Sequence, residues 1–322
     1  MSVMAWSPAP AASPLLRQCG AALGDRVLRL QDEPLAILKA LYRLGSLVVT
    51  TFTSGSRVSQ SMHYPAFHEG EWWLEAVGER CRLRQSLQVS QWHSVLAVLE
   101  PTGALPARSL VFFDRQGQPL QQMAVAPDSG GLAFEELVCA MLHPDQQTLS
   151  LPVGLPRMVA GELGPLSQLE RDWAGSADDD DFSHLLQRCH NQRSVLYRSV
   201  RDSFACPVRP ETLPAVLAEA SRRDSATTLC VGNQGVRLCM TAPWSSPRWQ
   251  GSHCHLAHSG ALVSLDMARM DSLWRLRRPG DGQVVTALEA LDENGQWLWT
   301  LSAGEDEAEW RELLRGSVIK ER

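Results

Sequence analysis

The sequence predicts an α+β fold built in tandem: two structural repeats, each a large antiparallel β-sheet flanked by helices. Three observations carry that prediction. Segments of the two halves align in the same order, strand-like runs follow one another across short turns, and helix-like patterns gather at the ends of each half. Crossover helices between strands, which a parallel nucleotide-binding sheet requires, are missing from this pattern.

The alignment is the strongest of the three. "SLVFFDRQGQPL" (109–120) lies without a gap over "ALEALDENGQWL" (287–298), 178 positions further on, and "EPLAILKAL" (33–41) lies over "ETLPAVLAE" (211–219) at the same offset. "LLRQCG" (15–20) matches "LLQRCH" (185–190) at an offset of 170. Matches in constant order mark a duplication. They divide the chain into a first repeat (1–150), a linker (151–181) and a second repeat (182–322).

Each repeat opens with a helix, over 15–23 and 182–198, and a second helix follows over 33–43 and 211–222, with apolar residues at three-to-four spacing. Strand-like runs come next: "SLVVTTFT", "EWWLEAVGE", "CRLRQSLQV", "SVLAVLEP" and "RSLVFFD", then "TTLCVGN", "VRLCMTAP", "ALVSLDM", "SLWRLRRP" and "VVTALEALD". Asp114 to Gly117 and Asp292 to Gly295 read as hairpin turns, where Asp caps the turn and Gly accepts a positive φ. "LAFEELVCAML" and "EAEWRELLRGSV" read as closing helices. The Pro-, Gly- and Asp-rich stretch from 145 to the end of the linker has no sustained period.

Composition excludes some classes of function. Of 322 residues 44% are hydrophobic and 20% charged, and a net charge of -6 offers no basic face for nucleic acid. No apolar run reaches the roughly 18 residues that span a bilayer, and "MSVMAWSPAPAASPLL" lacks the layout of a signal peptide. Eight dispersed cysteines without a CxxC pair read as reduced thiols, which places the protein in the cytoplasm.

P-loop, G-x-G-x-x-G, H-E-x-x-H and G-x-S-x-G motifs are absent, and "GNQG" (232–235) is a turn between strands. "HCHLAH" brings His253, His255 and His258 close together, either as a separate metal site or as an exposed polar connection. In "CRLRQSL" strand alternation puts Arg82 and Arg84 on one face, a pair suited to carboxylates through bidentate bonds or else an ordinary solvated face. In "WRLRRP" Arg275 and Arg277 share a face and Arg278 takes the other. On the helix after "DDDD", Phe182, Leu185, Leu186, Cys189 and Arg193 form one stripe, while Asp180 and His184 project from the opposite side.

The order of "LGSLVVTTFT", "RSLVFFDRQGQPL", "PETLPAVLAEA", "VGNQGVRLCMTAP" and "SLWRLRRPGDGQVVTALEALDENGQWL" resembles the hemin-degrading, or haem-utilisation, family of the HemS and HmuS type. The resemblance covers about residues 26–314 and implies a tandem fold with haem in a cleft formed mainly by the second repeat. It implies an iron ligand in a pattern like W-x4-D-x-H-x-F, which here runs from Trp173 through Asp178 to Phe182 and puts Asp180 in the histidine's place, with His184 one turn later. It implies an arginine on the opposite face of the haem, which maps to Arg84, followed by Ser86 instead of an aromatic residue. Met240, Ser264 and Asp266 stand where the family carries histidine, histidine and arginine.

The resemblance thus implies a cytoplasmic haem-handling protein that accepts imported haem for transfer or breakdown, with His184 on the iron and Arg84, Arg82 and Asp180 around the ligand. A haem oxygenase or a haem importer are its implied protein partners, and neither nucleic acid nor membrane insertion is expected. Two alternatives stay open. One is a haem-degrading enzyme, for which no catalytic acid or base stands out in the sequence. The other is a duplicated scaffold that has lost haem and binds another ligand, a metal or a protein.

Overall fold

The computed structural model describes residues 13–64, 73–78, 81–149, 165–176, 182, 185–186, 193–280 and 283–318. The first repeat supplies helices α1 (Pro14–Gly20), α2 (Pro34–Ala40) and α3 (Gly131–Ala140). Its strands are β1 (Val27–Arg29), β2 (Ser46–Phe52), β3 (Ser56–His63), β4 (Trp73–Gly78), β5 (Cys81–Leu87), β6 (Trp92–Val98), β7 (Ser109–Asp114) and β8 (Pro119–Val125). Helix α4 (Leu166–Gly175) follows, then α5 (Arg193–Ser199), β9 (Ala205–Val208), α6 (Leu213–Arg222), β10 (Thr227–Gly232) and β11 (Val236–Ala242). The chain continues through β12 (Arg248–Gln250), β13 (His253–His258), β14 (Ala261–Asp266), β15 (Ser272–Gly280), β16 (Gln283–Leu291), β17 (Trp297–Ala303) and α7 (Glu307–Val318).

Every strand pairing is antiparallel, and the described strands form two sheets, as the sequence predicts. The first sheet runs β1-β6-β7-β8-β2-β3-β14-β13-β12 and the second β4-β5-β11-β10-β17-β16-β15-β9. The two orders are the same pattern written twice, except that each repeat lends a hairpin to the other. β13–β14 of the second repeat extends the first sheet from β3, and β4–β5 of the first repeat extends the second sheet from β11. An uncovered β3 or β11 would present a row of unpaired backbone groups, and the exchanged hairpins remove both edges. Sequence periodicity carries no trace of this exchange, because pairing partners are set by tertiary packing.

Inner faces of the two sheets meet. One core gathers under α2 and α3 around Ile37, Leu41, Phe112 and Phe134, and a second under α6 and α7 around Leu217, Leu238, Trp299 and Trp310. Gly55 and Gly235, one in each repeat, mark the crossing points. A Cβ on Gly55 would stand 2.8 Å from a Leu298 methyl, and one on Gly235 2.7 Å from both Leu120 and the Trp92 indole nitrogen, so only glycine admits these contacts. The predicted hairpin caps are present in both halves. Asp114 Oδ1 accepts from the backbone N–H groups of Gln116 and Gln118, Asp292 Oδ1 accepts from those of Asn294 and Gln296, and Gly117 and Gly295 have φ of 70° and 71°.

Three local expectations are corrected. The linker is not a bare connection: α4 lies inside it, anchored by the buried Leu169 and Trp173 alone, too short a stripe to read as a period. "HCHLAH" is a strand and not a connection, with Cys254 and Leu256 buried between the histidines, and "SRVSQSMH", which is not among the predicted runs, is a strand with Val58 and Gln60 buried. The cysteines are not all separate thiols. Cys230 and Cys239 lie directly opposite each other in the β10–β11 register and are joined by a disulfide. The hairpin about "GNQG" sets that pairing, so counting outward from the turn finds it where spacing rules for dispersed cysteines do not.

Candidate functional site

The outer face of the second sheet is covered over half its width. Trp274 and Leu276 of β15, Leu291 of β16 and Ala205 of β9 pack against Leu169 and Trp173 of α4, Leu196 and Tyr197 of α5, and the helical residues Phe182, Leu185 and Leu186. Phe182, Leu185 and Leu186 of the predicted stripe are therefore buried as expected, while Cys189 lies outside the described residues. Trp173 is its centre: its ring meets Phe182 at 4.8 Å, Phe204 at 5.7 Å and Tyr197 at 5.9 Å, all edge-on, and its indole N–H donates to the Arg277 carbonyl at 2.9 Å. Arg278, on the same face of β15 as Trp274, lies 5.4 Å over the Phe182 ring.

Beyond this layer, β10, β11 and β5 continue the face. Reading across the strands, one row of neighbours is Trp274, Glu289, Thr300, Cys230, Cys239 and Arg84, with Glu75 of β4 beyond it. Arg84 is exposed, Cys239 half-buried and Cys230 buried. Arg82 is exposed two residues from Arg84 on the same face and pairs with Thr241, and Arg237 lies two residues from Cys239. The face thus runs from an apolar wall, across a disulfide, to a shelf carrying guanidinium groups.

A buried polar network, which sequence reasoning missed, joins wall and row. Glu289, 3% exposed, accepts at Oε1 from the Arg193 guanidinium (2.7 Å) and the Tyr197 hydroxyl (2.6 Å), and at Oε2 from Thr300 (3.0 Å). Thr300 Oγ1 in turn accepts from the Trp297 indole (2.8 Å), whose ring lies under the Arg193 guanidinium at 5.4 Å. Burial works to lower the Arg193 pKa, but the facing Glu289 carboxylate and Tyr197 outweigh it, and the guanidinium is held charged. The Tyr197 phenol is raised well above its ordinary value by burial and by the Glu289 charge, so it stays a donor. The one sequence signal was Arg193 on an otherwise apolar stripe, a charge that a core tolerates only when paired.

The remaining predicted residues fall as follows. His184 and Asp180 lie outside the described residues; along the chain His184 sits between the buried Phe182 and Leu185. Arg82 and Arg84 come together on one face. His253 and His255 stack on the outer face of the first sheet with ring centroids 6.3 Å apart, while His258 lines a surface depression with Trp244, Ser221 and Asp224. Among the described residues no three His, Cys, Asp or Glu side chains gather in a way that could hold a metal ion. Arg275 turns to the opposite face of β15 from Arg278, with its Nε buried and without a hydrogen-bond partner among the described residues.

Fold and site together define a class: a duplicated α+β chain with interleaved antiparallel sheets and a half-covered, arginine-edged outer face on the second. Residues 16–141 match the family described as the haemin-degrading HemS.ChuX domain. It is 25% identical over 306 residues, 93% of this chain and 88% of the relative, to the hemin transport protein HmuS of Yersinia pestis. Among solved structures, the haem-bound form of PhuS, a heme-binding protein from Pseudomonas aeruginosa, superposes with a TM-score of 0.80 at 24% identity, covering 91% of this chain and 87% of that one. ChuS, described as an E. coli heme oxygenase, superposes with a TM-score of 0.79 at 22% identity, covering 94% and 92%. These likenesses establish the fold over nearly the whole chain.

Proposed function

We propose that this protein binds haem as cargo on the outer face of its second sheet, accepting imported haem in the cytoplasm for transfer or breakdown. The observation that carries the reading is the match of a haem-handling fold over nearly the whole chain, with Arg84 exposed on the shelf beside the helix layer. The apolar wall suits a flat macrocycle, and the guanidinium shelf suits propionates or the far side of the iron. His184 supplies the iron ligand, with Asp180 and Arg82 lining the ligand's edge; none of the described residues on the wall or shelf offers an imidazole.

Haemin titration followed by the Soret band tests this. Saturable binding with a shifted band is expected, and His184→Ala is expected to change the spectrum of the bound iron. Absence of specific binding overturns the function, while a spectrum indifferent to His184→Ala overturns the ligand assignment.

A second reading, oxidative opening of the macrocycle, is favoured by the likeness to ChuS. The iron and porphyrin would supply that chemistry, and the residues described here would orient the ring and keep bulk water from one side. Release of carbon monoxide and a bilin on adding a reductant separates it from transfer to an acceptor such as a haem oxygenase.

A further inference from the structure

We infer that Cys230 and Cys239 are a reversible thiol–disulfide exchange site that takes an anionic, low-molecular-weight thiol as its co-substrate. The inference stands on strand register, exposure and charge, and it does not require the haem reading to be correct.

Register brings the sulfurs together. Cys230 and Cys239 are direct cross-strand neighbours on the outer face of the β10–β11 pair, so both side chains point to the same side of the sheet. The equivalent pair in the first repeat is Thr50 and Ser59, whose hydroxyls are 2.9 Å apart, and the row beside the cysteines repeats that arrangement with Thr228 and Thr241 at 2.8 Å. A hydrogen-bonded hydroxyl pair therefore suffices to hold this hairpin together, and the cysteines bring a reactivity that the fold does not need.

The two sulfurs differ in access. Cys230 is buried at 8% exposure, with Thr300 on its other side, whereas Cys239 is half-buried next to the open shelf. A thiolate arriving from solvent reaches Cys239 first. Its cross-strand neighbour there is Arg84, with Arg82 and Arg237 on the same face and Glu75 the one acidic residue in the adjoining row. The exposed Arg84 guanidinium, directly across from Cys239, favours a thiolate there and attracts an incoming thiol that carries carboxylates. Cys19 and Cys254, by contrast, are buried, with thiols pushed up to about 11 by that burial.

The exchange balances in two steps. The small thiolate attacks Cys239 Sγ, a new sulfur–sulfur bond forms as the Cys230–Cys239 bond breaks, and the electron pair leaves on Cys230 Sγ, which takes a proton. A second small thiolate then attacks the small-thiol sulfur of the mixed disulfide and releases Cys239 as a thiolate. The net change is one protein disulfide and two small thiols giving two protein thiols and one small-molecule disulfide.

The test uses the intact, oxidised protein without denaturant. Opening of the Cys230–Cys239 bond is followed by alkylation and peptide mapping with glutathione or with cysteamine, each rate divided by that of the same thiol on a neutral model disulfide. Glutathione is expected to be favoured about three- to tenfold at low salt, as attraction by nearby fixed charges allows. The preference is expected to shrink in high salt and in Arg84→Gln. Cys230→Ser, which leaves Cys239 alone as a thiol, is expected to accumulate a glutathione adduct on Cys239 when given oxidised glutathione, one reduced glutathione being released per adduct, seen by mass. A bond that opens only on unfolding, equal normalised rates for the two thiols, or a Cys230→Ser protein that takes no adduct would each overturn the proposal. Failure to bind haemin would leave all these outcomes unchanged.

Discussion

Across the outer face of the first sheet one row of neighbours reads Leu262, Ser59, Thr50, Gln122, Val111 and Leu96. The same positions on the second sheet read Arg84, Cys239, Cys230, Thr300, Glu289 and Trp274. One duplicated backbone thus carries a row without a charge on the first sheet, and on the second a cation, a disulfide and a buried acid. On the inner face polarity is reversed. Thr51 and Gln121 of the first sheet join Gln85 and Tyr64 in a buried hydrogen-bonded cluster, where the second sheet has Val231 and Trp299. The repeats therefore share hairpins, glycines and turns, while each has placed its buried polar groups on a different side. Chemistry on the outer face belongs to the second sheet, to which the first repeat contributes Arg82 and Arg84.

Copying the first row onto the second breaks this contrast most sharply at Glu289. Glu289→Val, which installs the counterpart of Val111, strands the half-buried Arg193 charge and is expected to cost about 3 kcal/mol in urea unfolding. Adding Arg193→Leu should recover most of that loss, since a packed apolar pair can replace a buried ion pair at little cost. A double variant as unstable as the single one would show that the network does more than satisfy its own charges.

Arg84→Leu copies Leu262. Loss of a charge-assisted bond worth roughly 1.5–3 kcal/mol is expected to weaken haemin binding about ten- to hundredfold in a Soret titration. Leu262→Ala on the first sheet should leave the affinity unchanged. Equal effects at both sites would end the assignment of the ligand to the second sheet.

High pH probes both buried polar groups at once. Burial, opposed by the Gln85 hydrogen bond, raises the Tyr64 phenol above its ordinary 10.0, and burial with the Glu289 charge raises Tyr197 well above it. Folded values above the unfolded one mean that full stability holds below about pH 10 and is lost as pH rises through the unfolded value toward the folded ones. Tyrosinate absorbance of these two residues should thus appear together with unfolding. The smallest effect concerns thiols: exposed Cys139 and half-buried Cys206 should be alkylated before Cys19 and Cys254, judged by peptide mapping of the folded protein.

How much of this was legible in the sequence follows from the range of the forces involved. Hairpin caps at Asp114 and Asp292, the closing helix Glu307–Val318 and the apolar stripe of Phe182, Leu185 and Leu186 are local patterns, and the structure reproduces them. Arg82 and Arg84 on one face followed from strand alternation alone. Glu289 did not stand out, because its partners come from elsewhere in the fold, Arg193 and Tyr197 from α5 and Thr300 from β17. The Cys230–Cys239 pair needed a hairpin register, and the exchanged hairpins needed knowledge of which edge each would cover. His184, the residue on which the haem reading turns, was singled out by family resemblance and lies outside the described residues.

The exchanged hairpins also say something about dissection. A lone repeat would have a bare β3 edge and a β4–β5 hairpin built to cover another copy's edge, and two such copies would satisfy each other by the pairings seen here between halves. The topology is thus that of a two-fold dimer with both halves in one chain, so the two faces can differ in sequence. Cutting between the repeats should yield not two independent domains but one non-covalent assembly.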